Sequence, residues 1–180
     1  DTLSSERSVE ITFTCEMINK YGKDKSILDV GGVPSSIEVY SPIWSAVEQA
    51  NSYYDICDFR GGKYRGDFVT LDIKEKFDII MFISSLEHFP QCTEGDLVYR
   101  ESEDRKGFLK ALSLLNPGGK IILTVPFGMH CWQPYHQNYD MNGILKLTEG
   151  SKIIDSFTYR LVKDKWILTD PANMKDVLYI

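Results

Sequence analysis

Two apolar runs organise the chain: Phe77 to Ser84, reading FDIIMFIS, and Lys120 to Val125, reading KIILTV. Near-continuous apolar stretches of this length suit strands buried on both faces, as in a parallel sheet. Ser26 to Val30 reads as an earlier strand of the same kind, Ser52 to Phe59 as the second, and Phe68 to Leu71 as a short third. Helical spacing predicts a first helix over Ser4 to Asn19, with Val9, Phe13 and Met17 on one stripe. A second runs over Ser36 to Ala50 with an interruption at Pro42, and Asp140 to Thr148 also reads as helical. Lys106 to Leu115 repeats Phe108, Ala111, Leu112 and Leu115 at helical spacing and stops at the turn-forming Asn116-Pro117-Gly118-Gly119. Late in the chain, Lys152 to Val162 and Lys165 to Thr169 alternate like strands that pair across Lys163-Asp164. Strands interleaved with helices predict an α/β fold: a mostly parallel sheet with helices on both faces and an antiparallel C-terminal hairpin at one edge.

Length and charge narrow this picture. The 180 residues suit one domain, 1–180. A net charge of −6 gives no electrostatic reason to expect nucleic acid or an anionic membrane as partner. No apolar segment approaches the ~20 residues of a membrane span, and no signal-peptide pattern opens the chain. Cys15, Cys57, Cys92 and Cys131 include no CxxC pair, so they are expected to be reduced and the protein cytoplasmic. The acidic residues Glu94, Asp96, Glu101, Glu103 and Asp104 predict a wet loop or helix face. The chain does not begin with Met, which suggests an excised domain, and the last strand reads as cut short at Ile180.

The chemistry concentrates where strands end. Ile27 to Ser36 reads ILDVGGVPSS: an apolar strand, the carboxylate of Asp29, then Gly31 and Gly32 in a small-residue turn. Glycines there let the backbone take positive φ and leave room for a ligand against the main chain. Open α/β sheets build nucleotide sites at such strand ends. Strand alternation places Asp58 and Ile56 on one face and Asp55 and Cys57 on the other, so one of the two acids faces a site.

Three segments in order, ILDVGG, FDIIMFISSLEHF and LLNPGGKIILTVPFG, resemble the motifs of class I S-adenosylmethionine-dependent methyltransferases. The tail, with TVPFG, Trp132 and the HQNYD of His136 to Asp140, is similar to small methyltransferases that modify sugars and cell-surface polysaccharides. The resemblance implies a Rossmann-like methyltransferase fold and S-adenosyl-L-methionine as cofactor. It also implies a small-molecule or glycan-like acceptor, methylated at oxygen. Asp29, Gly31, Gly32 and Ser85 would hold the methionine end. Asp58, with Asp55 as the alternative, would take the ribose, and Asp72 the adenine. His88 is the first general-base candidate and His136 the second, since imidazole titrates near neutrality. Glu87 would bind substrate hydroxyls or cap a helix. His130, Trp132, Tyr135 and Tyr139 would line a substrate loop, and no metal is expected.

The chain departs from the family pattern in its adjacent glycines and in Pro34. That departure motivates one alternative, a methyltransferase-like binding domain without turnover; within the enzyme reading the rival is methylation of RNA or protein.

Overall fold

The computed structural model describes residues 5–32, 37–89, 102–129, 131–132, 136–170 and 178–179. The expectations at Ser4, at the turn Val33 to Ser36, at Cys92, at Glu94, Asp96 and Glu101, at His130 and Tyr135, and at Ile180 lie outside them.

Five parallel strands form the centre: β1 (Ser26–Val30), β2 (Tyr53–Asp58), β3 (Tyr64–Arg65), β4 (Phe77–Ile83) and β5 (Leu115–Thr124), in spatial order β3-β2-β1-β4-β5. Alternation sorts their side chains into two cores. Ile27, Ile79, Met81 and Ile83 pack with α1 (Arg7–Tyr21) and α2 (Ile37–Gln49). Leu28, Val30, Ile80 and Phe82 pack with α3 (Glu103–Leu114) and α4 (Met141–Leu147). Burial on both faces explains why β4 and β5 read as continuous apolar runs rather than alternating ones.

Several elements differ from the sequence expectation for physical reasons. Phe68 to Leu71 is a turn, and the third strand is Tyr64–Arg65, between the expected second and third strands. Lys110, reaching across from α3, donates to the carbonyls of Val69 (3.3 Å) and Leu71 and so holds the turn. Pro42 lies within α2 without ending it. Proline offers no N–H to the carbonyl of Glu38, and the Ser41 hydroxyl donates to that carbonyl instead, at 2.9 Å. α1 turns a different stripe inward: Glu10, Ile11, Thr14, Met17 and Ile18 are its buried residues. Leu115 pairs with Phe77 and Lys120 with Ile79, so Asn116 to Gly119 bulge out of β5 where a simple turn before the strand was expected.

A second sheet carries the C-terminal hairpin. β9 (Thr158–Val162) and β10 (Lys165–Thr169) are antiparallel across Lys163 and Asp164, whose φ values of 46° and 62° match a type I′ turn. β9 begins at Thr158, later than the expected Lys152. The hairpin is not an edge of the five-stranded sheet. It joins β11 (Leu178–Tyr179), and β11 pairs with β6 (Pro126–Phe127), the continuation of β5's line past Val125. A two-stranded ribbon, β7 (Cys131–Trp132) with β8 (Gln137–Asn138), completes the described elements.

Candidate functional site

A cavity of about 430 Å³ opens at the carboxyl ends of β1, β2 and β4, where the strand order reverses between β1 and β4. Its volume falls within the range of small-molecule and cofactor sites. Val30, Gly31, Asp58, Ser84, Ser85 and His88 come to it from those strand ends. Arg7 of α1, Tyr40 of α2, Glu103 of α3 and the turn residues Asp67, Phe68 and Val69 close it.

Gly31 makes the first wall. Its φ is +88°, and a Cβ there would stand 2.5 Å from Cβ of Ser85. The turn after β1 therefore packs directly on the segment after β4. Gly31 N–H donates to the Cys57 carbonyl (2.8 Å), and Ser85 Oγ donates to the Val30 carbonyl (2.6 Å), which ties the ends of β1, β2 and β4 together. Gly32 serves a different contact: a Cβ on it would lie 2.6 Å from Oδ2 of Asp29.

Asp29 does not line the cavity. It shares a face with Ile27, is buried beneath the glycines, and accepts from Tyr54 Oη at 2.6 Å. Burial pushes its carboxyl up to about 6, against the Tyr54 hydrogen bond. Asp58 does line the cavity, whereas Asp55 ion-pairs with Lys63 at 2.8 Å and does not. Asp72 stands outside, its side chain 76% exposed and paired with Lys74 at 2.6 Å. The apolar Phe68 and Val69, with Asp67 bonding the Val69 N–H at 2.9 Å, occupy the place expected of it. The displacement follows from the misread third strand, since Lys110 pins residues 69 and 71 while Asp72 falls just beyond.

The segment after β4 is held by polar contacts. Ser84 has φ +43°, unusual for a residue with a Cβ. Its N–H donates to Oγ1 of Thr124 (2.9 Å) and its Oγ donates to Oε1 of Glu10. Thr124 Oγ1 donates to the same oxygen at 3.2 Å, and Arg7 Nη1 donates to Oε2 at 3.2 Å and to the Ile83 carbonyl at 3.4 Å. Glu10, buried in α1, thus bridges the ends of β4 and β5; burial raises its carboxyl above the ordinary range.

The 3₁₀ turn Leu86–His88 follows. Edge-to-face packing places the rings of His88 and His136 6.1 Å apart, so the two base candidates come together although 48 residues separate them (136 − 88). His136 precedes β8, which is anchored from α3: buried Asp104 accepts from Tyr139 Oη (2.8 Å) and from Gln137 Nε2. The Tyr139 N–H also donates to the Pro126 carbonyl at 2.9 Å. Asp104 was expected on a wet face, and its burial is legible only from the structure. Arg7, the guanidinium at the cavity, was likewise missed, because an Arg opening a helix reads as solvated. Cys57 lines the cavity, with burial raising its thiol to about 12. Among the described residues no group of three or more His, Cys, Asp or Glu is arranged to hold a metal ion, and no helix is long and apolar enough to cross a membrane.

Parallel strands in this order, helices on both faces and a cavity at the reversal point define the architecture. The fold is Rossmann-like. No family model matches the chain, and comparison with curated proteins found no match. Among solved structures, the chain is similar to the SAM-bound amino pentose methyltransferase CalS10 of Micromonospora echinaspora, at 15% identity and TM-score 0.39, over 72% of this chain and 52% of that one. It is also similar to the mitomycin 7-O-methyltransferase MmcR, at 14% identity and TM-score 0.48, over 79% and 47%. A third similarity is to the glycopeptide N-methyltransferase MtfA, at 10% identity and TM-score 0.47, over 94% and 88%. The chain spans about half the length of the first two. The Rossmann-like assignment rests on the sheet's own order and direction.

Proposed function

We propose that the chain is an S-adenosylmethionine-dependent methyltransferase acting on a small or glycan-like acceptor, at oxygen. The observation that carries this reading is the cavity at the reversal point, walled by Gly31 against Ser85, with Asp58 on one side and His88 on the other. The three sequence motifs converge on it: ILDVGG supplies Gly31, the fourth-strand motif supplies Ser84 to His88, and the fifth strand supplies the Thr124 that holds Ser84.

The residues present fit the cofactor. Asp58 takes the ribose hydroxyls as an acceptor. Phe68 and Val69 offer the apolar surface an adenine ring packs on. Arg7, facing the cavity beside Gly31 and Ser84, suits the methionine carboxylate. Asp29 acts from beneath, by fixing Tyr54 and the glycine turn rather than by contact. When bound, the cofactor supplies an activated methyl on a sulfonium, so the protein's own work is to position the acceptor and receive its proton. His88 receives that proton, and His136, beside it, orients the acceptor from the β8 side. The Phe68, Phe82 and Phe89 cluster keeps water from one wall.

Calorimetric titration with S-adenosylmethionine tests the reading: micromolar binding, reduced at least tenfold in Asp58→Ala, is the expected result. Absence of heat at millimolar cofactor would overturn it.

A further inference from the structure

We propose that Glu87 is the positioning partner of His88: its buried carboxylate and the neighbouring imidazole act as one acid–base pair, and that pair takes the acceptor's proton during methyl transfer. The pairing stands on geometry, while its use in transfer rests on the methyltransferase reading above.

Glu87 sits in the 3₁₀ turn with His88 and is 2% exposed. Its Oε1 lies 3.8 Å from Nε2 of His88, and its Oε2 is buried without a hydrogen-bond partner. His88 is 39% exposed and borders the cavity, so the ring connects a dry carboxyl to the space where an acceptor would lie. A buried carboxyl with one oxygen left without a hydrogen-bond partner is costly, and its retention at a strand end beside the cavity calls for a role. The charged and titratable groups around it are few. Arg7 and Glu10 face it from α1, Tyr40 from α2, Ser84 and His88 from its own segment, and Tyr139, bonded to Asp104, from the β8 side. The Arg7 guanidinium is engaged by Glu10 and the Ile83 carbonyl. Burial, reinforced by Glu10 and opposed by a backbone hydrogen bond, Arg7 and Ser84, raises the Glu87 carboxyl to about 8. The pairing requires the two groups, 3.8 Å apart, to lose their protons as a coupled unit.

The transfer balances as follows. A lone pair on the acceptor oxygen attacks the sulfonium methyl carbon, and the carbon–sulfur bond breaks with its electron pair staying on sulfur. The acceptor's proton passes to His88, the Glu87 carboxylate neutralises the imidazolium, and the proton leaves through the exposed edge of the ring. The fully deprotonated pair is therefore the active base.

Two measurements test the pair without an acceptor. In the intact protein labelled with ¹³C, the Glu87 carboxyl resonance is expected to titrate in two steps, collapsing to one step in His88→Asn. Diethyl pyrocarbonate, which modifies neutral imidazole, is expected to label His88 about threefold faster at pH 7 in Glu87→Gln, relative to His136, because the shared proton is gone. Identical one-step curves in wild type and His88→Asn, or an unchanged His88 to His136 labelling ratio, would overturn the pairing. The wild-type and His88→Asn curves decide the matter if Glu87→Gln does not fold. Calorimetry with S-adenosylmethionine separates the two ideas: loss of cofactor binding in wild type removes the transfer role, whereas a coupled titration still establishes the pair.

Discussion

The two segments that meet at the cavity solve the same problem in opposite ways. After β1, the backbone turns at Gly31 with φ +88°, and the turn is fixed by steric contact with Ser85. After β4, it turns at Ser84 with φ +43°, and a residue with a Cβ is held there by Glu10, Thr124 and the strand end. One turn is specified by what is missing from a side chain, the other by a carboxylate 74 residues away in sequence. The first cannot relax without a clash, while the second can lose a hydrogen bond and keep its shape. A steric turn should therefore fail abruptly and a polar one by degrees.

Substitution at the steric turn gives the largest expected effect. Gly31→Ala adds a Cβ 2.5 Å from Ser85 at a φ that disfavours it, and about 2–4 kcal/mol of stability should be lost. Chemical denaturation measures this, and Ser85→Gly in the same chain should recover the packing part but not the backbone part. Glu10→Ala leaves Ser84, Thr124 and Arg7 without their acceptor and should cost roughly 1–3 kcal/mol. A loss in Glu10→Ala equal to that in Gly31→Ala would erase the distinction between the turns.

A pH series sharpens the comparison further. The Glu87 carboxyl is raised from 4.5 to about 8 and that of Asp29 from 3.8 to about 6 by burial. Between the unfolded and folded values the native state binds more protons, so stability falls as pH rises: from about 4 to 6 for both groups, and on to about 8 for Glu87. Melting temperature should therefore drop from pH 5 to pH 8, and Glu87→Gln should flatten the upper part of that slope. A melting temperature that climbs over this range would refute the assignment. The smallest expected effect is Tyr54→Phe, which removes the 2.6 Å bond to Asp29 and should cost about 1 kcal/mol, more at pH 8 than at pH 5, since neutral Asp29 tolerates the loss better.

The steric turn was legible in the sequence and the polar one was not. Glycine after a strand announces positive φ, and β4 announces its burial by a near-continuous apolar run. Ser84 gives no local sign of its conformation, because the group that holds it comes from α1, where Glu10 looks like an ordinary solvent-facing acid on a helix. The same limit explains Asp72 and Asp58. Asp58 was implied by the resemblance as an acid ending the second strand, a local feature, and parity separated it from Asp55 without choosing between them. Asp72 was chosen by counting from a third strand that tertiary contacts from Lys110 place elsewhere. His88 and His136 were each nominated, but their meeting depends on Asp104, Gln137 and Tyr139, a network no local pattern reveals.

The two-residue strand β11 has a kinetic consequence. The β9–β10 hairpin closes over two residues and forms on the microsecond scale typical of hairpins. Beside the Trp166 indole bond to the Ser5 carbonyl at 3.1 Å, its strand pairing with the rest of the protein runs through β11, whose Leu178 must find Phe127 across 51 positions of chain (178 − 127). Long-range pairings of that kind pay their chain entropy before they gain contacts. The hairpin is therefore expected to close early and to complete its pairing through β11 late. During refolding, hydrogen exchange should protect the amides of Thr158 to Thr169 before those of Phe127, Leu178 and Tyr179, where β6 and β11 pair.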